Sequence, residues 1–252
     1  LTAQQVLKIT SSIDLRSHCY TSASWLSYFH GNRRAAADLQ VPDKIDLPAG
    51  LHESLVASLQ RFQVGESGDG QFLKKYAATA NDPVYEQCID LFVKEAQGHA
   101  GMLAQIIKSM DGSLLKDHWS ASAFVTLRRM FGLKTEVFVL LIAEIIGKTF
   151  YKTLADRIDN KTLKDAFSLL VIDEIFHLEF HCSFMQGQTK EFSALARKAV
   201  YYLWFALFYA ASLVFILDHG RVFKAINVSR KAFLEDCTNT FKRTATKVLA
   251  AE

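Results

Sequence analysis

From Leu51 onward, apolar residues recur at three- and four-residue steps: Leu55, Leu59, Phe62 and then Leu73. This predicts a first long helix of about 28 residues. Asn81-Asp82-Pro83 breaks the pattern, because Asp is a good N-cap and Pro fits the first helical position. A second helix is expected from there to about Met110, where Asp111-Gly112 ends it, and a third from near Ser120 to about Ile158, bent at Gly132. Asp159-Asn160 marks the next break. A fourth helix follows to about Gln186, then an apolar fifth, and a sixth opening at Ser229 before Phe233. Before residue 50 the pattern is irregular, with a helix expected from about Ser17 to His30 and a polar loop holding Pro42 and Pro48. Four long helices joined by short turns read as an antiparallel bundle. One all-α domain is expected: a helical extension over 1–50, a core over 51–187 and additional C-terminal helices over 188–252.

Composition agrees with helices. Half of the 252 residues are hydrophobic, and three prolines with twelve glycines supply too few turns for an all-β sandwich. The formal charge of +3 is small and no Lys/Arg run exceeds two residues, so no nucleic-acid partner is expected. Cys19, Cys88, Cys182 and Cys237 stand far apart without a C-x-x-C pair, which fits buried free thiols in a reducing compartment. With no basic-then-apolar leader in view, a cytoplasmic location is expected.

The fifth helix needs separate treatment. Nineteen uncharged residues, 199–217, reach the length at which a membrane span becomes feasible. Three tyrosines and a Trp lie along the segment rather than at its ends, which suits a helix covered by protein, either in the core or across a homodimer.

The chemistry-bearing residues interrupt the apolar stripes. Glu174 and His177, in Asp173-Glu174-Ile175-Phe176-His177, project from one face that otherwise reads Phe167, Leu170, Val171 and Leu178. An isolated E-x-x-H is as well explained by a buried ion pair as by a metal site. Each of the other long helices, however, also carries a mid-length carboxylate. Glu144 sits within Val139-Leu140-Leu141-Ile142-Ala143-Glu144-Ile145-Ile146, where an unpaired charge is expensive. Glu95 and His99 share the second helix, and Glu66 follows Phe62-Gln63-Val64-Gly65. Glu144 lies 78 positions after Glu66, His177 lies 78 after His99, and Glu174 lies 79 after Glu95, so the two helix pairs read as copies of one unit. Four carboxylates and two histidines from four helices match a di-iron or di-manganese arrangement.

In Gln63-Val64-Gly65-Glu66, Glu95-Ala96-Gln97-Gly98-His99, Glu144 and Asp173-Glu174-Ile175-Phe176-His177, the chain resembles the ferritin-like di-iron carboxylate superfamily over about residues 50–187. The resemblance is to its oxygenase and oxidase branch, which includes acyl carrier protein desaturases, aldehyde deformylating oxygenases, arylamine N-oxygenases and the ribonucleotide reductase small subunit. It implies a ferritin-like four-helix bundle and two iron ions, with manganese as the alternative. Glu66, His99, Glu144 and His177 would be terminal or semi-bridging ligands and the remaining glutamates bridges. The implied function is activation of O2 to oxidise a small or lipid-like organic substrate. No nucleotide-binding Gly motif is present, so an external electron donor is implied. One position departs from the pattern: the Glu expected three residues before His99 is Ala96, and Glu95 is the substitute in register.

Three further residues are candidates for supporting roles. Lys148, one turn after Glu144, either snorkels outward or meets a substrate carboxylate. Tyr151 is a core aromatic or a redox residue, and His181 is a hydrogen-bonded core histidine or a partner of the ligands. Gly65, Gly68, Gly70, Gly98 and Gly147 crowd the same positions, which packing or room for dioxygen and substrate would explain. Two other readings remain: a metal-deficient ferritin-like protein with a structural or regulatory role, and a membrane-associated lipid oxidase anchored through residues 199–217.

Overall fold

The computed structural model describes residues 21–32, 40–128 and 132–250, and every regular element among them is helical. The expected start near Ser17 of the N-terminal helix, and Cys19, lie outside the described residues. Helix α1 spans Ser22–Asn32, α2 Ala49–Glu66, α3 Gln71–Ala77, α4 Pro83–Ser109, α5 Trp119–Arg128, α6 Leu133–Arg157, α7 Lys161–Thr189, α8 Ala194–Asp218, α9 Gly220–Ala225 and α10 Arg230–Val248. Side-chain caps set four of the starts. Asp82 accepts from the Val84 and Tyr85 amides at 3.0 Å with Pro83 at the first position, and Asn160, Ser193 and Ser229 cap α7, α8 and α10.

Two of the expected helices are divided. The first ends at Glu66, because Gly70 takes φ +65 and starts α3 in a new direction. A β-carbon there would overlap Val93 of α4, so the turn and the close approach both need glycine. The third is split at Gly132, φ +79, into α5 and α6 rather than bent.

Residue pairings give the helix directions. Against α7, α4 places Tyr85 on Phe184, Glu95 on His177 and His99 on Asp173, so these two run antiparallel. Helix α6 also opposes α7, with Lys134 reaching the Gln188 carbonyl at one end and Tyr151 stacked on Phe167 at the other. Helices α4 and α6 are therefore parallel. The chain must return along their length between residues 109 and 133, where α5 lies. Helix α2 runs against α4, with Gly112 beside Val56 and Gln97 bonded to the Gly68 carbonyl.

Two hydrophobic clusters result. One is built around Leu141, Ile145, Phe150, Leu154 and Phe167, and the other around Trp25, Phe29, Tyr85, Phe92, Phe176 and Phe180. Helix α6 contributes to both, with Leu140 in the second cluster and Ile145 in the first, which leaves Glu144 at the seam. Helix α1 docks through Trp25, whose indole donates to Ser183 Oγ at 2.7 Å, and through Ser22, which donates to Asp82. The cysteines within the described residues, Cys88, Cys182 and Cys237, are free and buried.

Helix α8 departs from the expected burial on most sides. Its inner face packs Trp204, Phe208, Ser212 and Ile216, whereas Leu203 is 73% exposed and Leu217 72% exposed. It is long and apolar enough to cross a membrane, with one face against the protein.

The strained turn makes a prediction. Gly70→Ala adds a side chain at positive φ and into Val93, and should destabilise the fold by roughly 1–3 kcal/mol, read as a lower urea midpoint. An unchanged midpoint contradicts the tight α3–α4 approach.

Candidate metal centre

Helices α4 and α7 each carry a carboxylate four residues before a histidine: Glu95 before His99, and Asp173 before His177. The two helices run antiparallel, so each carboxylate meets the other helix's imidazole. Asp173 Oδ2 lies 3.1 Å from His99 Nε2, and Glu95 Oε2 lies 3.1 Å from His177 Nε2. Asn32, at the end of α1, donates through its amide to both acids, at 3.0 Å to Asp173 and in a short bond to Glu95. With each Nε2 directed at a carboxylate, the Nδ1 atoms face inward, where a bound cation would take their lone pairs in place of a proton.

Inside this frame, Glu174 stands between the two rings. Its Oε1 is 3.6 Å from His99 Nδ1 and its Oε2 is 3.6 Å from His177 Nδ1. Glu144 Oε2 is 3.4 Å from His177 Nδ1. His99, Glu174 and His177 are buried, and one ligand atom from each lies within 4.8 Å of the others. His99 Nδ1 and Glu174 Oε2 have no hydrogen-bond partner. Two buried, converging donor atoms without partners are costly in a closed core and suit a cation. The described residues thus combine helices alone as regular structure with a buried His/Glu/His group that could hold a metal, compatible with a ferritin-like fold.

The fourth side of the site is more open. Glu66, half-buried at the last turn of α2, accepts from the Tyr151 hydroxyl at 3.4 Å. Burial and the neighbouring carboxylates push the Tyr151 phenol well above its usual pKa, so it stays a donor. A cavity of about 280 Å³ opens here. Its floor includes Glu66, Ala96, Glu144 and Glu174, and its walls Phe62, Phe92, Phe124, Val125 and Leu140. Gly65, Gly68, Gly70 and Gly147 also line it, and a β-carbon at Gly65 or Gly68 would meet open space; Gly98 lies elsewhere.

The supporting candidates separate. His181 is fully buried against Phe92 and Phe180, neither ring nitrogen is hydrogen-bonded, and burial lowers its pKa to about 3, so it is neutral. Lys148 points away from the site, its ammonium donating to Thr240 of α10 at 3.3 Å. Asp173 and Asn32 are the residues that sequence reading passed over. The i−4 symmetry of Asp173 with Glu95 could have found the first, whereas no pattern marks Asn32.

Charge is strongly redistributed without a metal. Burial opposes protonation of His177, but the carboxylates of Glu144, Glu174 and Glu95 around it prevail and raise its pKa well above 6.5; His99, opposed by burial too, is raised by Asp173. Burial, and then the Glu144 charge, push Glu174 well above 4.5. Glu144 is buried too, yet bonds from Glu174 and His177 hold it down to about 2. No family model, curated protein or solved structure matches the chain.

These shifts set a pH window for the protein kept free of metal by a chelator. The contribution of His99 and His177 is complete below 6.5 and is lost as pH rises through their raised folded values. Glu174 acts in the same direction from 4.5 upward, whereas the contribution of Glu144 is lost as pH falls from 4.5 toward 2. The melting temperature should therefore peak in mild acid and fall on the alkaline side. A melting temperature that climbs steadily above pH 6.5 contradicts the buried imidazolium pairs.

Proposed function

We propose that the chain is a ferritin-like di-iron protein that activates O2 to oxidise a small or lipid-like organic molecule. The observation that carries this reading is the reciprocal pairing of His99 with Asp173 and of His177 with Glu95, which presents two Nδ1 atoms to the two oxygens of Glu174. The parallel arrangement of α4 and α6, with a long return between them, supports it, since ferritin-like folds have one such crossover.

In this reading His177 and Glu144 would hold one ion and His99 and Glu66 the other, with Glu174 available to both. Glu95, expected as a ligand in place of the residue missing at position 96, instead has the role toward His177 that Asp173 has toward His99: it accepts the Nε2 proton and orients the ring. Hard oxygen donors with two imidazoles suit iron or manganese. Two such ions would supply electrons for dioxygen reduction. The protein's own part is to fix each Nε2–H against a carboxylate, to direct the Tyr151 hydroxyl at Glu66, and to exclude water with Phe62, Phe92 and Leu140. The cavity beside Glu144 and Glu174 is the place for the substrate, and the electrons come from an external donor.

Ala96 favours a second reading, in which the lost ligand leaves a metal-poor protein with a structural role. Anaerobic Fe(II) loading and metal analysis decide between them: about two irons per chain are expected, and none would support the structural role. Glu174→Ala should abolish loading. Glu95→Ala should lower affinity about 10–100-fold without abolishing it. Equal losses in the two variants would restore Glu95 as a ligand.

A further inference from the structure

We propose that the gap left by Ala96 is the seat of the substrate's own carboxylate, so that the protein takes an apolar carboxylic acid whose head group completes the metal site. This rests on the di-iron reading above and names its substrate class.

Three observations carry it. The first is continuity: Ala96 lines the same cavity as Glu66, Glu144 and Glu174, so the space where a glutamate side chain would stand is open to a ligand. The second is charge. Two divalent ions bring four positive charges and their direct ligands Glu66, Glu144 and Glu174 three negative ones, with both imidazoles neutral when bound; Glu95 and Asp173, each one imidazole further out, offset the remainder at longer range. The ions themselves are one anionic ligand short on the side that faces the cavity, where a charge in direct contact interacts far more strongly with an anion than it would in water. A carboxylate brings one negative charge and two oxygens, as the missing glutamate would have done.

The third observation concerns the cationic side chains at the cavity, whose charge is already matched. The arginines that line the cavity are engaged, Arg61 with Asp218 at 3.3 Å and Arg128 with Glu136 at 2.9 Å. The head group is therefore drawn to the metal side, and the body lies against Phe62, Phe92, Leu140 and Val125. A cavity of about 280 Å³ suits a small acyl or aryl acid.

The test uses Co(II), whose visible spectrum reports its ligands, with octanoate as the acid and octanol as its uncharged counterpart. Wild-type protein loaded with Co(II) under anaerobic conditions should bind octanoate with a change in the Co(II) absorption. Octanoate should in turn raise Co(II) affinity by about tenfold or more, and octanol should do neither. Ala96→Glu should bind Co(II) more tightly than wild type without any acid and be insensitive to octanoate. Ala96→Gln, which fills the same space without charge, should not reproduce the gain in affinity. Octanoate binding equally well to metal-free and loaded wild type, or leaving the Co(II) spectrum and affinity unchanged, overturns this proposal and leaves the metal reading intact. A wild-type chain that takes up no Co(II) with or without octanoate overturns both.

Discussion

A charged carboxylate inside a helix interface is stable only when a proton donor or a cation stands beside it, and the centre of this protein depends on that constraint. Glu144, Asp173 and Glu174 are buried among leucine, isoleucine and phenylalanine. What makes this tolerable is the pair of reciprocal imidazole–carboxylate hydrogen bonds between α4 and α7, with Asn32 donating to both outer acids. Leaving any one of these groups buried without its partner costs several kcal/mol in general terms. The register of α4 on α7, and through it the position of α1, is therefore tied to a polar arrangement as much as to apolar packing.

The same constraint explains what could be read from the sequence. Long apolar stripes with capped ends gave away the helices, and buried carboxylates at matching intervals gave away the site region, because both depend on local spacing. The break at Gly70 was not legible: helical periodicity continues through Leu73, and only the approach of Val93 from α4 shows why the chain must turn. Glu95 posed a related problem. Spacing alone puts it on the same helix face as His99, but the group it serves is the imidazole on α7, a relation that exists only once the antiparallel register is known. Lys148 shares a helix with Glu144 yet faces α10, since a small rotation about the helix axis separates neighbouring turns. Asn32 is a tertiary contact with no periodic signature.

Helix α8 shows the opposite case, in which composition was plain and placement was not. Its apolar length suggested enclosure, but only one face packs on the protein, through Trp204, Phe208 and Ile216, while Leu203, Leu213 and Leu217 remain exposed. An apolar face this long on a helix that also helps support the site, through Phe215 against Phe62 and Phe150, sets it apart from the polar face usual for a surface helix.

The proposed function requires the inward imidazoles and the glutamates around them to hold two metal ions together. X-ray absorption on the Fe(II)-loaded, oxygen-free protein tests it most directly, because the method reads nitrogen and oxygen neighbours and any second metal at once. Two ions at the site give a light-atom shell together with a metal–metal vector of about 3.5–4 Å. A spectrum with the light-atom shell alone at full loading would contradict it.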